Sequence, residues 1–139
     1  MTYATQADIE ARYPGELAQA GPRDGAGDLD AVAIGRALVV ADSLVDMTLR
    51  TIGWAVPLAD PAPDWVVEIA VDLALYTATP TALASQDDFA DRGKRFDAAL
   101  ERLRAIARGD ILPPRPADQA AVTTVYTSSK PRVFGRGAL

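Results

Sequence analysis

The chain has neither cysteine nor histidine among its 139 residues. The first absence removes disulfides, thiolate metal sites and cysteine nucleophiles. The second removes imidazole metal ligands, Ser-His-Asp catalysis and the ordinary proton shuttle near neutral pH. Any chemistry would rest on carboxylates, arginine, tyrosine and two lysines, Lys94 and Lys130. Aromatic residues are also scarce, at 6% against a hydrophobic share of 49% carried by Ala, Val and Leu. Small and branched aliphatic side chains favour closely packed helices over a sheet sandwich. No apolar run reaches the roughly 20 residues that a membrane span needs. The start, residues 1–8, lacks the basic-then-apolar order of a signal peptide. The sequence therefore reads as a soluble protein made in a cytoplasm, with no membrane partner and no cofactor.

What the chain does have is an uneven distribution of charge. Residues 1–110 hold 10 Lys and Arg against 18 Asp and Glu, whereas residues 111–139 hold 4 against 1, within a total of −5. An anionic body thus carries a cationic tail, rich in turn-forming Pro, Gly and Ser. The tail is too short and polar to bury a core of its own, so Val133, Phe134 and Leu139, with Arg132 and Arg136 beside them, read as anchors for a partner surface. The division is a helical bundle domain over 1–112 and an extended C-terminal arm over 113–139.

Along the body, Thr5 to Asp8 fits an N-cap with an acid three residues on, opening a short helix to about Arg12 that Pro14-Gly15 ends. A weaker turn follows at Glu16–Ala20, and Gly21 to Gly27 reads as a flexible loop. Asp28 is the predicted cap of the first long helix, about 22 residues in which Ile34, Leu38, Ala41, Val45 and Leu49 recur at three- and four-residue steps. Arg36, Ser43, Asp46 and Arg50 fall on its other side. A proline-rich loop returns Trp54 and Leu58 to the core, and a second, mostly apolar helix is expected from Asp60 or Pro61 through Tyr76. Residues 77–85 read as a connector. The third long helix opens around Gln86–Asp88 and shows Phe89, Phe96, Leu100, Leu103 and Ile106 on one side and its arginines elsewhere; Gly109 is its expected C′ residue. Residues 121–127 are β-branched and suit an edge strand formed in an assembly. The fold class is all-α: a small bundle of three main helices plus a short N-terminal helix, with the arm attached.

Three charge clusters invite chemical readings. Asp24, Asp28 and Asp30 lie around a glycine-rich loop but lack the spacing, central glycine and distal glutamate of a calcium loop, so no metal site is assigned. Asp64, Glu68 and Asp72 stand at i, i+4 and i+8 on the second long helix. Such a stripe suits a paired-carboxylate catalyst or a set of structural ion pairs; like charges on successive turns repel, which favours structural pairing with arginines. No catalytic residue is assigned. The arginines from Arg92 to Arg108 would suit nucleic acid, but Asp91, Asp97 and Glu101 interrupt them and favour a solvated, salt-laced surface.

The order of these pieces resembles the Mu-like phage head-tail adaptor (connector) family. The carrying segments are residues 3–13, Asp28 with 37–46, 56–58, 71–76, 96–110 and Arg132 to Arg136, across nearly the whole chain. The resemblance implies a structural connector that forms a homo-oligomeric ring, a dodecamer in expectation, beneath the portal protein. There it would offer the docking surface for a tail-completion or tail terminator protein, at the virion neck. DNA would pass through the ring without sequence-specific binding. The alternative function is a DNA-packaging accessory or DNA-binding helical protein; that reading wants a basic recognition helix, against which the net charge of −5 stands.

Overall fold

A computed structural model describes residues 2–84, 86–117 and 119. Six α-helices run in order: α1 (Gln6–Arg12), α2 (Glu16–Ala20), α3 (Ala31–Thr51), α4 (Asp64–Ala78), α5 (Thr81–Ala84) and α6 (Ala90–Ala107), with a 3₁₀ turn at Asp87–Phe89 before the last. No strand occurs among the described residues, which form an all-α bundle. The expected strand at 121–127 and the anchors Arg132, Val133, Phe134, Arg136 and Leu139 lie outside the described residues.

The three long helices pack on one another, with α4 in the middle. Val66, Ile69, Ala70, Leu73 and Ala74 of α4 are buried, as are Ile34, Leu38, Ala41, Val45 and Leu49 of α3 and Ala99, Leu103 and Ile106 of α6. Trp54 and Leu58 fold back onto this core. Trp54 meets Trp65 edge-on with ring centroids 6.2 Å apart, and Tyr76 packs against Phe96 at 4.5 Å.

Three boundaries differ from expectation. The cap of α3 is Asp30, whose carboxylate accepts from the Val32 and Ala33 amides at 3.0 Å; Asp28 instead lends its carbonyl to the Asp24 amide. The loop before α3 is consequently pinned rather than flexible: Asp24 Oδ1 accepts from the Ala26 and Asp28 amides, Asp30 donates to the Pro22 carbonyl, and a Cβ on Gly21 would lie 2.4 Å from the Leu17 carbonyl oxygen. Helix α4 begins at Asp64 with Pro63 as its cap residue, not at Asp60 or Pro61. A proline disfavours α geometry in the residue before it, so Ala62 cannot continue a helix started at Pro61. The predicted connector is partly helical, since α4 runs to Ala78 and α5 adds a turn. Elsewhere Thr5 makes the expected capping box with Asp8, and Gly109 follows α6 in the left-handed region at φ +82°.

Candidate functional site

The acidic stripe meets two arginines from different elements. Glu68 lies 3.4 Å from Arg12 of α1 and 3.7 Å from Arg102 of α6. Asp72, more enclosed, sits 4.0 Å from Arg12 and accepts a 2.5 Å bond from the Tyr13 hydroxyl. Burial raises the Asp72 carboxyl above its ordinary range while the Tyr13 bond and Arg12 pull it back; burial and the same bond raise the Tyr13 phenol. Asp64 is exposed and makes no ion pair among the described residues. The stripe thus ties α1 to α4 and α6 at two of its three positions.

A second knot escaped the sequence reading. Arg92, expected off the core side of the last helix, is 3% exposed. Its Nε faces Glu16 Oε2 at 3.2 Å, one guanidinium nitrogen donates to Thr79 Oγ1 at 2.8 Å and the Ala20 carbonyl at 3.3 Å, and the other donates to the Glu16 carbonyl. Arg95 grips the same Glu16 carboxylate at 2.8 Å and lies over the Tyr13 ring at 3.9 Å, rather than pairing within its own helix. The intrahelical pairs are Asp91 with Lys94 and Glu101 with Arg104. Burial lowers the Arg92 pKa against the favourable pull of Glu16.

The segment before α1 is held at Tyr3 by a third contact set. The Tyr3 amide donates to both Asp42 carboxylate oxygens at 3.1 and 3.2 Å; its hydroxyl donates to Asp46 and accepts from the Leu58 amide at 2.9 Å. Burial and the Asp46 bond raise the Tyr3 phenol well above its ordinary value. Near the far end of the bundle, the Gln119 side chain closes two bonds on the Ala55 backbone at 2.9 and 3.0 Å.

Two surfaces remain uncommitted. On the outer side of α3, Val32, Val39, Val40 and Met47 are 64%, 56%, 45% and 61% exposed. Their only exposed charged neighbours on that helix are Arg36 and Arg50, neither of which makes an ion pair among the described residues. Beside this face, an apolar groove of about 370 Å³ lies between α3 and α6, lined by Leu44, Met47, Leu100 and Leu103. Between α1 and α4, an open groove of about 300 Å³ has Ala11, Val67 and Val71 along it and Asp8, Arg12, Asp64 and Glu68 at its edges. No group of acidic side chains able to hold a metal ion occurs among the described residues, and no helix of the described residues is long and apolar enough to cross a membrane. Exposed apolar side chains on a rigid helix, with unpaired cations between them, suit a protein contact.

Comparison with known proteins bears on the chain's origin. No curated protein matches it significantly. Residues 3–129 match the family model described as Bacteriophage Mu, Gp36, a span that stops short of Arg132 and the residues after it.

Proposed function

The chain belongs to the bacteriophage Mu Gp36 family, and from that premise we propose that it is a structural component of a Mu-like phage particle that connects head to tail. In this reading copies of the bundle form a ring, a dodecamer in expectation, beneath the portal protein at the virion neck. The ring offers the surface on which a tail-completion or tail terminator protein docks. The role is geometric and involves no turnover.

The observation that carries the reading is the outer face of α3. Four large apolar side chains held in water on a long, well-packed helix cost solubility unless a partner covers them. A ring needs such a patch to meet a different patch on the next copy, and the chain has a second, unlike groove between α1 and α4. The charge of the body suits the passage of DNA as well. A wall with 18 acids against 10 cations over residues 1–110 repels the duplex, where a basic lining would hold it through its phosphates. The arm, with Arg132, Val133, Phe134, Arg136 and Leu139, has the composition of a latch for the next component.

The test is genetic. A phage in which this gene is silenced should accumulate DNA-filled or leaking heads together with free, complete tails, and supplying the protein in trans should restore joined particles. Normal particles without the protein, or a block before any DNA enters the head, would contradict the proposal.

A further inference from the structure

We infer that the outer face of α3 in one copy seats in the α1–α4 groove of the next, an inference that rests on the ring reading above and names its two surfaces. Three observations converge. First, Val32, Val39, Val40 and Met47 recur seven, eight and fifteen residues from the first, the spacing of a helix face that packs lengthwise on another element. Val32 to Met47 spans about 22 Å of helix, so the middle turns, from Arg36 to Ser43, match a groove about two turns long beside Asp64 to Val71.

Second, the charges oppose. Arg36 and Arg50 have no ion pair among the described residues, and the groove is edged by Asp8, Asp64 and Glu68 together with one cation, Arg12, which is itself paired with Glu68 and Asp72. Glu68 is already shared by Arg12 and Arg102, and the Asp8 side chain caps α1 at Thr5. Asp64 is therefore the acid left to meet Arg36. Third, the apolar groups oppose in the same way, a ridge of Val39 and Val40 against a trough of Ala11, Val67 and Val71. The chain's own C-terminal segment is the poorer occupant of the α3 face, because it carries four cations and one acid and would be set against Arg36 and Arg50. The two patches share no residue, so the contact is heterologous and propagates from copy to copy until it closes.

The absence of cysteine makes the test clean. Full-length chains carrying Val39→Cys or Ala11→Cys, both at exposed positions, are mixed and oxidised. The 39–11 disulfide should form at least about tenfold faster than either homodisulfide. Adding Arg36→Glu to the first chain should slow it by about tenfold, and adding Asp64→Arg to the second should restore it, because reversing one charge sets like charges face to face and reversing both restores attraction. Thermal melts of each variant confirm that the bundle is intact. Equal rates for all three disulfides, or preferential linkage of Ala11→Cys to Phe134→Cys in the arm, overturn the inference. Sedimentation of the unaltered chain separates this outcome from failure of the ring: an oligomer indifferent to these substitutions refutes the surfaces alone. A chain that stays monomeric and unlinked refutes both, and linkage without a stable oligomer supports the surfaces as a contact completed on the particle.

Discussion

Arg92 of α6 is buried against Glu16 of α2, with Nε and carboxylate 3.2 Å apart and the guanidinium also bonded to the Glu16 and Ala20 carbonyls and Thr79. One planar cation thereby fastens the small second helix to the bundle and closes the C-terminal end of α4. The fork geometry matters, since a lysine has a point charge and cannot reach four acceptors in one plane. Removing one member strands the other in a poorly hydrated site. Glu16→Ala should cost about 2–4 kcal/mol in chemical denaturation, and Arg92→Lys a comparable loss. A loss under about 0.5 kcal/mol for both would show the knot to be solvated.

Tyr3 governs the alkaline limb of stability. Its phenol is raised in the fold by burial and by Asp46, whereas an unfolded tyrosine ionises near pH 10. A raised folded pKa gives stability that is full below the unfolded value and is lost as pH rises beyond it. The chain should therefore lose stability above about pH 10, and Tyr3→Phe should flatten that slope while costing about 1–2 kcal/mol at neutral pH through the orphaned Leu58 amide. Ultraviolet titration of the folded protein should show Tyr3 and Tyr13 ionising late, with unfolding. Free titration of every tyrosine with the fold intact would contradict this.

The acidic stripe should divide by burial. Glu68 and its two arginines are each about 40% exposed at the side chain, so Glu68→Ala should cost well under 1 kcal/mol. Asp72 is enclosed and holds Tyr13, and Asp72→Ala should cost about 1–2 kcal/mol. Because burial raises the Asp72 pKa, its contribution is largest below the unfolded carboxylate pKa and falls as pH rises through the folded value. The deficit of Asp72→Ala relative to the parent should shrink on going from pH 3 to pH 7. Thermal melts at several pH values decide it; equal costs for the two substitutions would show the stripe to be one uniform solvated face.

Much of this architecture was legible in the residues, because core contacts repeat at the helical period: Ile34, Leu38, Ala41, Val45 and Leu49 mark the buried side of α3 without reference to any neighbour. Thr5 and Gly109 were legible as caps because each acts within a few residues of itself. The failures have a common cause. Asp28 and Asp30 are equivalent in sequence, and only the fold of the 21–29 loop chooses between them. Charge alone groups Arg92 with its fellow arginines, although it stands three residues after Phe89 and four before Phe96, in the core register. Position, rather than residue type, held the signal. The exposed apolar residues of α3 were equally visible in type, but that nothing in the bundle covers them depends on how α3, α4 and α6 pack.

We predict that the arm is separable from the bundle. The buried apolar residues among those described end at Ile106, and beyond it Gln119 exchanges two hydrogen bonds with the Ala55 backbone, one accepted and one donated. A chain ending at Pro116 should melt within a few degrees of the full protein and yet fail to join heads to tails. Normal assembly with the shortened chain would return the arm to the role of a plain terminus.

An asymmetric cryo-electron microscopy reconstruction of the portal vertex in mature particles decides whether copies of this bundle form a ring between portal and tail. The expected result is one layer of helical bundles, repeated around the vertex axis between portal and tail, each with the outer face of α3 against its neighbour. A vertex without this density, or the protein found elsewhere in the particle or missing from it, would show that no such ring joins portal and tail.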